Sequence, residues 1–200
     1  MTISTQPWHH PDPGTAVHLD MVPDQVLHAL GSGDSAGLEP IYANPFLTGP
    51  ECDWLWRYRS AQVRNAPGDA PWITRLIIDP HLGAAVGVAG FHGPPDESGM
   101  VEVGYRVDPA LRRRGYARQA LEILLDVART HPDVRTVRAT ISPDNGASRA
   151  LIDGYGFVER GEQWDDEDGL EIIYELSVDG PPTTTPLERG PRPTTPGDSA

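Results

Sequence analysis

The stretch Leu111–Ala128 reads LRRRGYARQALEILLDVA. Ala117, Ala120, Leu121, Leu124, Leu125 and Ala128 recur in it at i, i+3, i+4, i+7, i+8 and i+11, the period of an amphipathic helix. Arg112, Arg113 and Arg114 stand against Gly115 just before that helix, in a chain of formal net charge -13. Cations at the start of a helix oppose its dipole. They are either solvated there or they answer a negative ligand. First-turn amides have no partner inside the helix, and with the dipole they form an anion site. Gly115 removes a side chain from the approach, and arginine supplies a forked, permanently charged donor set. A strand, an Arg-Gly turn and an amphipathic helix therefore describe a diphosphate cradle, with the amides of Arg113, Arg114, Gly115, Tyr116, Ala117 and Arg118 as donors. Neither GxxxxGK[ST] nor GxGxxG occurs in the turn.

Upstream, MVEVGYRVD (Met100–Asp108) alternates as a strand. Val101, Val103, Tyr105 and Val107 fall on one face; Glu102, Gly104 and Arg106 fall on the other. Further strands are expected over Ala16–Leu19, Pro71–Asp79 and Ala84–Gly93, with a turn at PHLG. Helices are expected over Asp24–Leu30 and Cys52–Asn65. Downstream come a strand over Val134–Ser142 and a short helix over Pro143–Tyr155, capped by Ser142 or Asp144. Two closing strands, GFVERGEQW and LEIIYELSV, are joined by the acidic DDEDG. The order predicts an α+β domain around a mixed sheet.

At 200 residues and 38% hydrophobic, the chain suits one domain with a full core. Its 29 acidic against 16 basic residues repel phosphate backbones, so nucleic acid is not an expected partner. One cysteine, Cys52, leaves no intrachain disulfide framework and no cysteine-built zinc site, and fits a reducing cytoplasm. MTISTQPWHHPDPG does not read as a signal peptide, and no run is long enough to span a membrane. Composition divides the chain into a flexible leader over 1–14, a domain over 15–179, and a disordered Pro/Thr-rich tail over 180–200 that folding does not need.

Two blocks carry a family resemblance. Arg112-x-x-Gly115-x-Ala117 resembles the Arg/Gln-x-x-Gly-x-Gly/Ala signature of the GNAT superfamily of N-acetyltransferases. SPDNGASRALIDGYGFVERG resembles its downstream block, with Asn145 and Ser148 before a helix that ends in Gly156-Phe157. The likeness covers roughly Trp72–Leu176, and VEVGYRVDP is most similar to the subgroup containing the ribosomal-protein-alanine acetyltransferases. The resemblance implies a mostly antiparallel sheet flanked by helices and splayed between its fourth and fifth strands. It also implies acetyl-CoA as cosubstrate and no metal. The diphosphate would lie on the cradle, and the pantetheine arm in the opening, near Val107 and Asn145. Glycine inside a strand marks a close approach, which suits Gly104.

Acetyl transfer needs a neutral amine, and an alkyl ammonium with a pKa of about 10.4 needs a base. Glu102 resembles the strand glutamate that serves as base in many relatives; it is otherwise a surface carboxylate or an ion-pair partner of Arg106. The tyrosine that many relatives carry four residues before Gly156 is Ile152 here, and Tyr155 is out of register with it. Ser148 would then stand near the sulfur, or simply bond its own helix. The expected activity is acetyl transfer to a primary amine of a small molecule or a protein N-terminus. The acceptor is expected to be cationic, and the protein a monomer or homodimer. A non-catalytic acyl-CoA-binding regulatory module is the alternative, kept open by Ile152. Three further features carry less. Gly33-x-Ser35-x-Gly37 matches a hydrolase elbow but follows a helical stretch. His9 and His10 lie in a Pro-rich run. Trp54 and Trp56 read as packing residues on a helix that lines the acceptor cleft in relatives.

Overall fold

The computed structural model of the chain describes residues 3–165 and 169–178. The expected tail, and Asp166, Glu167 and Asp168 of the acidic turn, lie outside the described residues.

Hydrophobic alternation and helical period place the elements. Strand β5 (Met100–Val107) buries Val101, Val103 and Val107 against α3 (Tyr116–Thr130). That helix in turn buries Tyr116, Ala120, Leu121, Ile123, Leu124, Leu125 and Ala128. On the other face, α1 (Asp24–Ser32) and α2 (Pro50–Asn65) cover a second core that includes Leu27, Trp56, Leu76 and Val88. The sheet between the two layers has, among the described residues, the order β1-β2-β3-β4-β5-β6-β8-β7. Its remaining strands are β1 (Trp8–His9), β2 (His18–Met21), β3 (Arg75–Asp79), β4 (Ala84–Phe91), β6 (Thr136–Ile141), β7 (Val158–Asp165) and β8 (Gly169–Ser177). Helix α4 (Gly146–Ile152) lies on the α3 side, where Ile152 joins that core.

All neighbours are antiparallel except β5 and β6, which pair in parallel through Met100↔Thr136, Val101↔Val137 and Glu102↔Arg138. Beyond Glu102 the two strands part, although β5 runs on to Val107 and β6 to Ile141. The expected splay is therefore present, and β1 shifts its strand numbers up by one.

Two expectations are corrected. Of the loose leader expected over 1–14, the described residues 3–14 form a packed strap: Ile3 and Trp8 are buried, and β1 pairs with β2. Trp8 packs on Phe91 and lies 3.6 Å over the guanidinium of fully buried Arg75. Arg75 also donates to the carbonyls of Ser4, Gln6, Leu19 and Pro71. A buried cation held by carbonyls and an indole face orders a segment whose composition alone argues for disorder. The cap of α4 is Asn145, whose Oδ1 accepts from the Ser148 amide at 3.1 Å, and not Ser142 or Asp144.

Candidate active site

The turn between β5 and α3 curls because two residues in it are left-handed, Arg113 (φ 66°) and Gly115 (φ 88°). A Cβ at Gly115 would meet nothing nearer than 3.6 Å, so the backbone angle, not crowding, demands glycine there. Gln119 donates to the Gly115 carbonyl and opens α3, whose cap has no side-chain bond. Among the described residues no acceptor meets the amides of Arg113 to Arg118. Successive amides in such a turn form an anion-binding nest at the positive end of the helix dipole. Arg112, Arg113, Arg114 and Arg118 are exposed around it. Tyr116 pins the structure from below: its hydroxyl donates to Asp79 Oδ2 at 2.7 Å, at the end of β3. Burial pushes the Tyr116 hydroxyl up, and the Asp79 carboxylate beside it adds to that.

The opening begins where β5 leaves β6. The Asp108 amide donates to Val86 and the His92 amide to Glu102, so the even-numbered residues of β5 bond to β4. By the alternation of an antiparallel ladder, the backbone groups of Val103, Tyr105 and Val107 then face the gap. The Val107 carbonyl already accepts from Arg112 Nε at 3.3 Å, which ties the arginine turn to the mouth of the opening.

On the α2 side of β5, Glu102 Oε1 accepts from Thr140 Oγ1 at 2.6 Å and lies 3.5 Å from His92 Nδ1. The carboxylate sits where β5 and β6 part, with 20% of its side chain exposed. The His92 ring covers Gly104, where a Cβ would come within 2.9 Å of Nε2. Buried Arg59 and Gln62 of α2 both donate to the His92 carbonyl, and Arg59 also donates to Thr74 and Gln62. Desolvation, and then the Arg59 guanidinium, push His92 below the usual imidazole value. The His92 side chain itself is 47% exposed. Arg106 turns instead to the Glu51 carbonyl at the start of α2. Sequence reading singles out Glu102 but not its neighbours His92 and Thr140 or the Arg59 behind them, because no local spacing links residues so far apart in the chain.

On the α3 side of the same strand, Ser148 of α4 is half-buried beside the Tyr105 hydroxyl. Ile152 is fully buried. Tyr155 donates to Glu122 Oε1 at 2.5 Å, which keeps it on α3. Glu102 and Ser148 thus lie on opposite faces of the sheet, with the gap between β5 and β6 connecting them. Asn145 serves as cap and is exposed.

Other singled-out residues go elsewhere. Ser35 is exposed in the loop after α1, with no strand before it. His9 packs against His18 with tilted rings, and His10 lies 2.8 Å from Glu122. Among the described residues no group of three His, Cys, Asp or Glu could hold a metal, and no helix is long and apolar enough to cross a membrane. Trp56 is buried and donates to the Leu47 carbonyl, whereas Trp54 is exposed and stacks on Tyr58 at 5.1 Å. Burial pushes the Cys52 thiol up to about 11, so it is no nucleophile.

An anion nest, a splayed parallel pair and a carboxylate at the apex of the splay together define an acyltransferase fold. The acetyltransferase (GNAT) domain profile matches residues 42–158, and the chain belongs to that family. It is 36% identical over 103 residues to the uncharacterized N-acetyltransferase YjdG of Bacillus subtilis (strain 168), a match covering 50% of this chain and 60% of YjdG. The match therefore spans less than two thirds of that relative. Among solved structures, it is similar to RimL, a ribosomal L7/L12 alpha-N-protein acetyltransferase in complex with coenzyme A. That likeness has TM-score 0.59 and 19% identity, over 82% of this chain and 96% of RimL. A chimera of the spermidine N-acetyltransferase SpeG from Vibrio cholerae and hSSAT aligns with TM-score 0.58 and 14% identity, over 82% of this chain and 96% of the chimera. These likenesses establish the fold.

Proposed function

We propose that the protein is an acetyl-CoA-dependent N-acetyltransferase acting on a primary amine. The observation that carries this reading is the unpartnered nest at the start of α3, lying at the mouth of an opening whose apex holds Glu102. RimL was solved with coenzyme A, which supports the same ligand here. The amides of Arg113 to Arg118, with the surrounding arginines, would hold the diphosphate. The gap-facing backbone of Val103 and Tyr105, with the Val107 amide, would pair with the pantetheine arm. The bound thioester supplies an activated acetyl group.

Glu102 takes the proton of the incoming ammonium, directly or through one water. Thr140 orients the carboxylate through its 2.6 Å bond, and neutral His92 shields its other flank. The acceptor enters on the α2 face, along the rim that carries Trp54 and Tyr58. The overall charge of -13 favours a cationic acceptor. Peptide N-termini and polyamines both meet that description, in line with the printed substrates of RimL and SpeG.

The test is an acetylation screen over peptides with free N-termini, polyamines and amino acids, reading product mass and thiol release together. Product with stoichiometric thiol is expected. Tight coenzyme A binding without thiol release from any amine would instead identify a regulatory binding module.

A further inference from the structure

Tyr105 holds a buried hydroxyl with no use in the fold. It packs on the core beside α3, yet its Oη is buried and without a hydrogen-bond partner. An orphaned buried hydroxyl carries an uncompensated desolvation cost and calls for an explanation. Ser148 is the polar side chain at hand: it acts on the titration of this hydroxyl while falling outside hydrogen-bond geometry.

The placement says what that work is. β5 alternates, so Glu102 faces α2 while Tyr105 faces α3 and α4. An arm that starts at the nest and runs toward the apex passes Val107, then Tyr105, then Val103. Its reactive end stops where β5 and β6 close at Glu102↔Arg138. A thioester lying in that gap presents its carbonyl carbon to the amine on the Glu102 face and its sulfur to the opposite one. On that opposite face the buried helix position, Ile152, offers no proton. Ser148, one turn earlier on α4, meets Tyr105 instead.

We propose that Tyr105 is the proton donor to the departing thiolate, delivered from the strand rather than from α4. This rests on the acetyltransferase reading above. Glu102 takes the ammonium proton and passes it to solvent; the neutral amine nitrogen then bonds to the acetyl carbon, and the second nitrogen proton goes to the regenerated Glu102 carboxylate. The C–S bond then breaks with its electron pair on sulfur, and sulfur takes the proton of Tyr105 Oη. The phenolate recovers a proton from solvent through the Ser148 hydroxyl. The missing partner leaves the Oη donor unused by the fold.

Tyr105→Phe keeps the ring and removes the donor. Its kcat is expected to fall by about a hundredfold, the lower range for general acid–base catalysis. The KM for acetyl-CoA and the Kd for coenzyme A should stay within about twofold. Incorporation of 3,5-difluorotyrosine at 105 should restore turnover with a pH profile whose alkaline limb moves to lower pH. A folded Tyr105→Phe protein that binds coenzyme A and keeps the parental kcat overturns the proposal, as does a difluorotyrosine protein with an unmoved profile. If the parent itself releases no thiol with any amine, the acetyltransferase reading has failed, and this one with it.

Discussion

Glu102 is one carboxylate among 29 acidic residues, and its neighbours set it apart. Thr140 donates to it from β6 and His92, just past the end of β4, flanks it, at the point where β5 and β6 part. Glu102→Gln preserves shape and the Thr140 contact but removes the base. Its kcat at pH 7 should fall by about a hundredfold or more, and coenzyme A affinity should hold. The deficit should shrink as pH rises toward the amine's own value of about 10.4, because the acceptor then sheds its proton unaided. A pH–rate profile of parent and variant checks both points; equal kcat at pH 7 would make Glu102 purely structural. Tyr105, three residues from Glu102 along β5 and therefore on the other face of the strand, bears the complementary prediction.

At the scale of the element, the proposed function rests the coenzyme diphosphate on the segment from Arg112 to Arg118. Two left-handed residues, a Tyr116–Asp79 anchor and an uncapped helix start together leave donors facing solvent. Gly115→Asp forces a side chain into φ 88° and adds a negative charge to the nest. Coenzyme A affinity measured by calorimetry should fall at least about tenfold, or 1.4 kcal/mol. Unchanged affinity in a folded protein would remove the nest from the binding site. The amphipathic period of α3 and the alternation of β5 were legible in the sequence, because each is a local pattern imposed by one face of burial. The arginine turn was legible for the same local reason. The cap of α4 was misassigned because Ser142, Asp144 and Asn145 are equivalent candidates by type, and only the backbone path selects Asn145.

At the scale of the whole molecule, the strap at the N-terminus closes the sheet edge and covers Arg75. Trp8→Ala removes a buried indole and one face of the guanidinium's surroundings. A loss of about 3 kcal/mol or more is expected. At roughly 2–4 °C per kcal/mol for a chain of this size, Tm should drop by several degrees. An unchanged Tm would return these residues to a loose leader. The net charge of -13 also acts over the whole surface. For a cationic acceptor, kcat/KM should fall as salt rises from low to physiological strength, because screening shortens the reach of the field. A salt-independent kcat/KM, or an anionic preferred acceptor, would contradict the steering argument.

The sequence by itself determined the α+β order, the helix after the arginine turn, the glycine in that turn and the carboxylate on the polar face of β5. Each of these is carried by residues within one element, where spacing and side-chain type are sufficient physics. The tertiary structure alone decided that Trp8 and Ile3 are core residues, because the cation they cover lies far along the chain on β3. It alone decided that His92 and Thr140 flank Glu102, since three strands and α2 meet there. It alone decided that Tyr105 has no partner, because an orphaned hydroxyl is defined by everything packed around it and not by its neighbours in the chain.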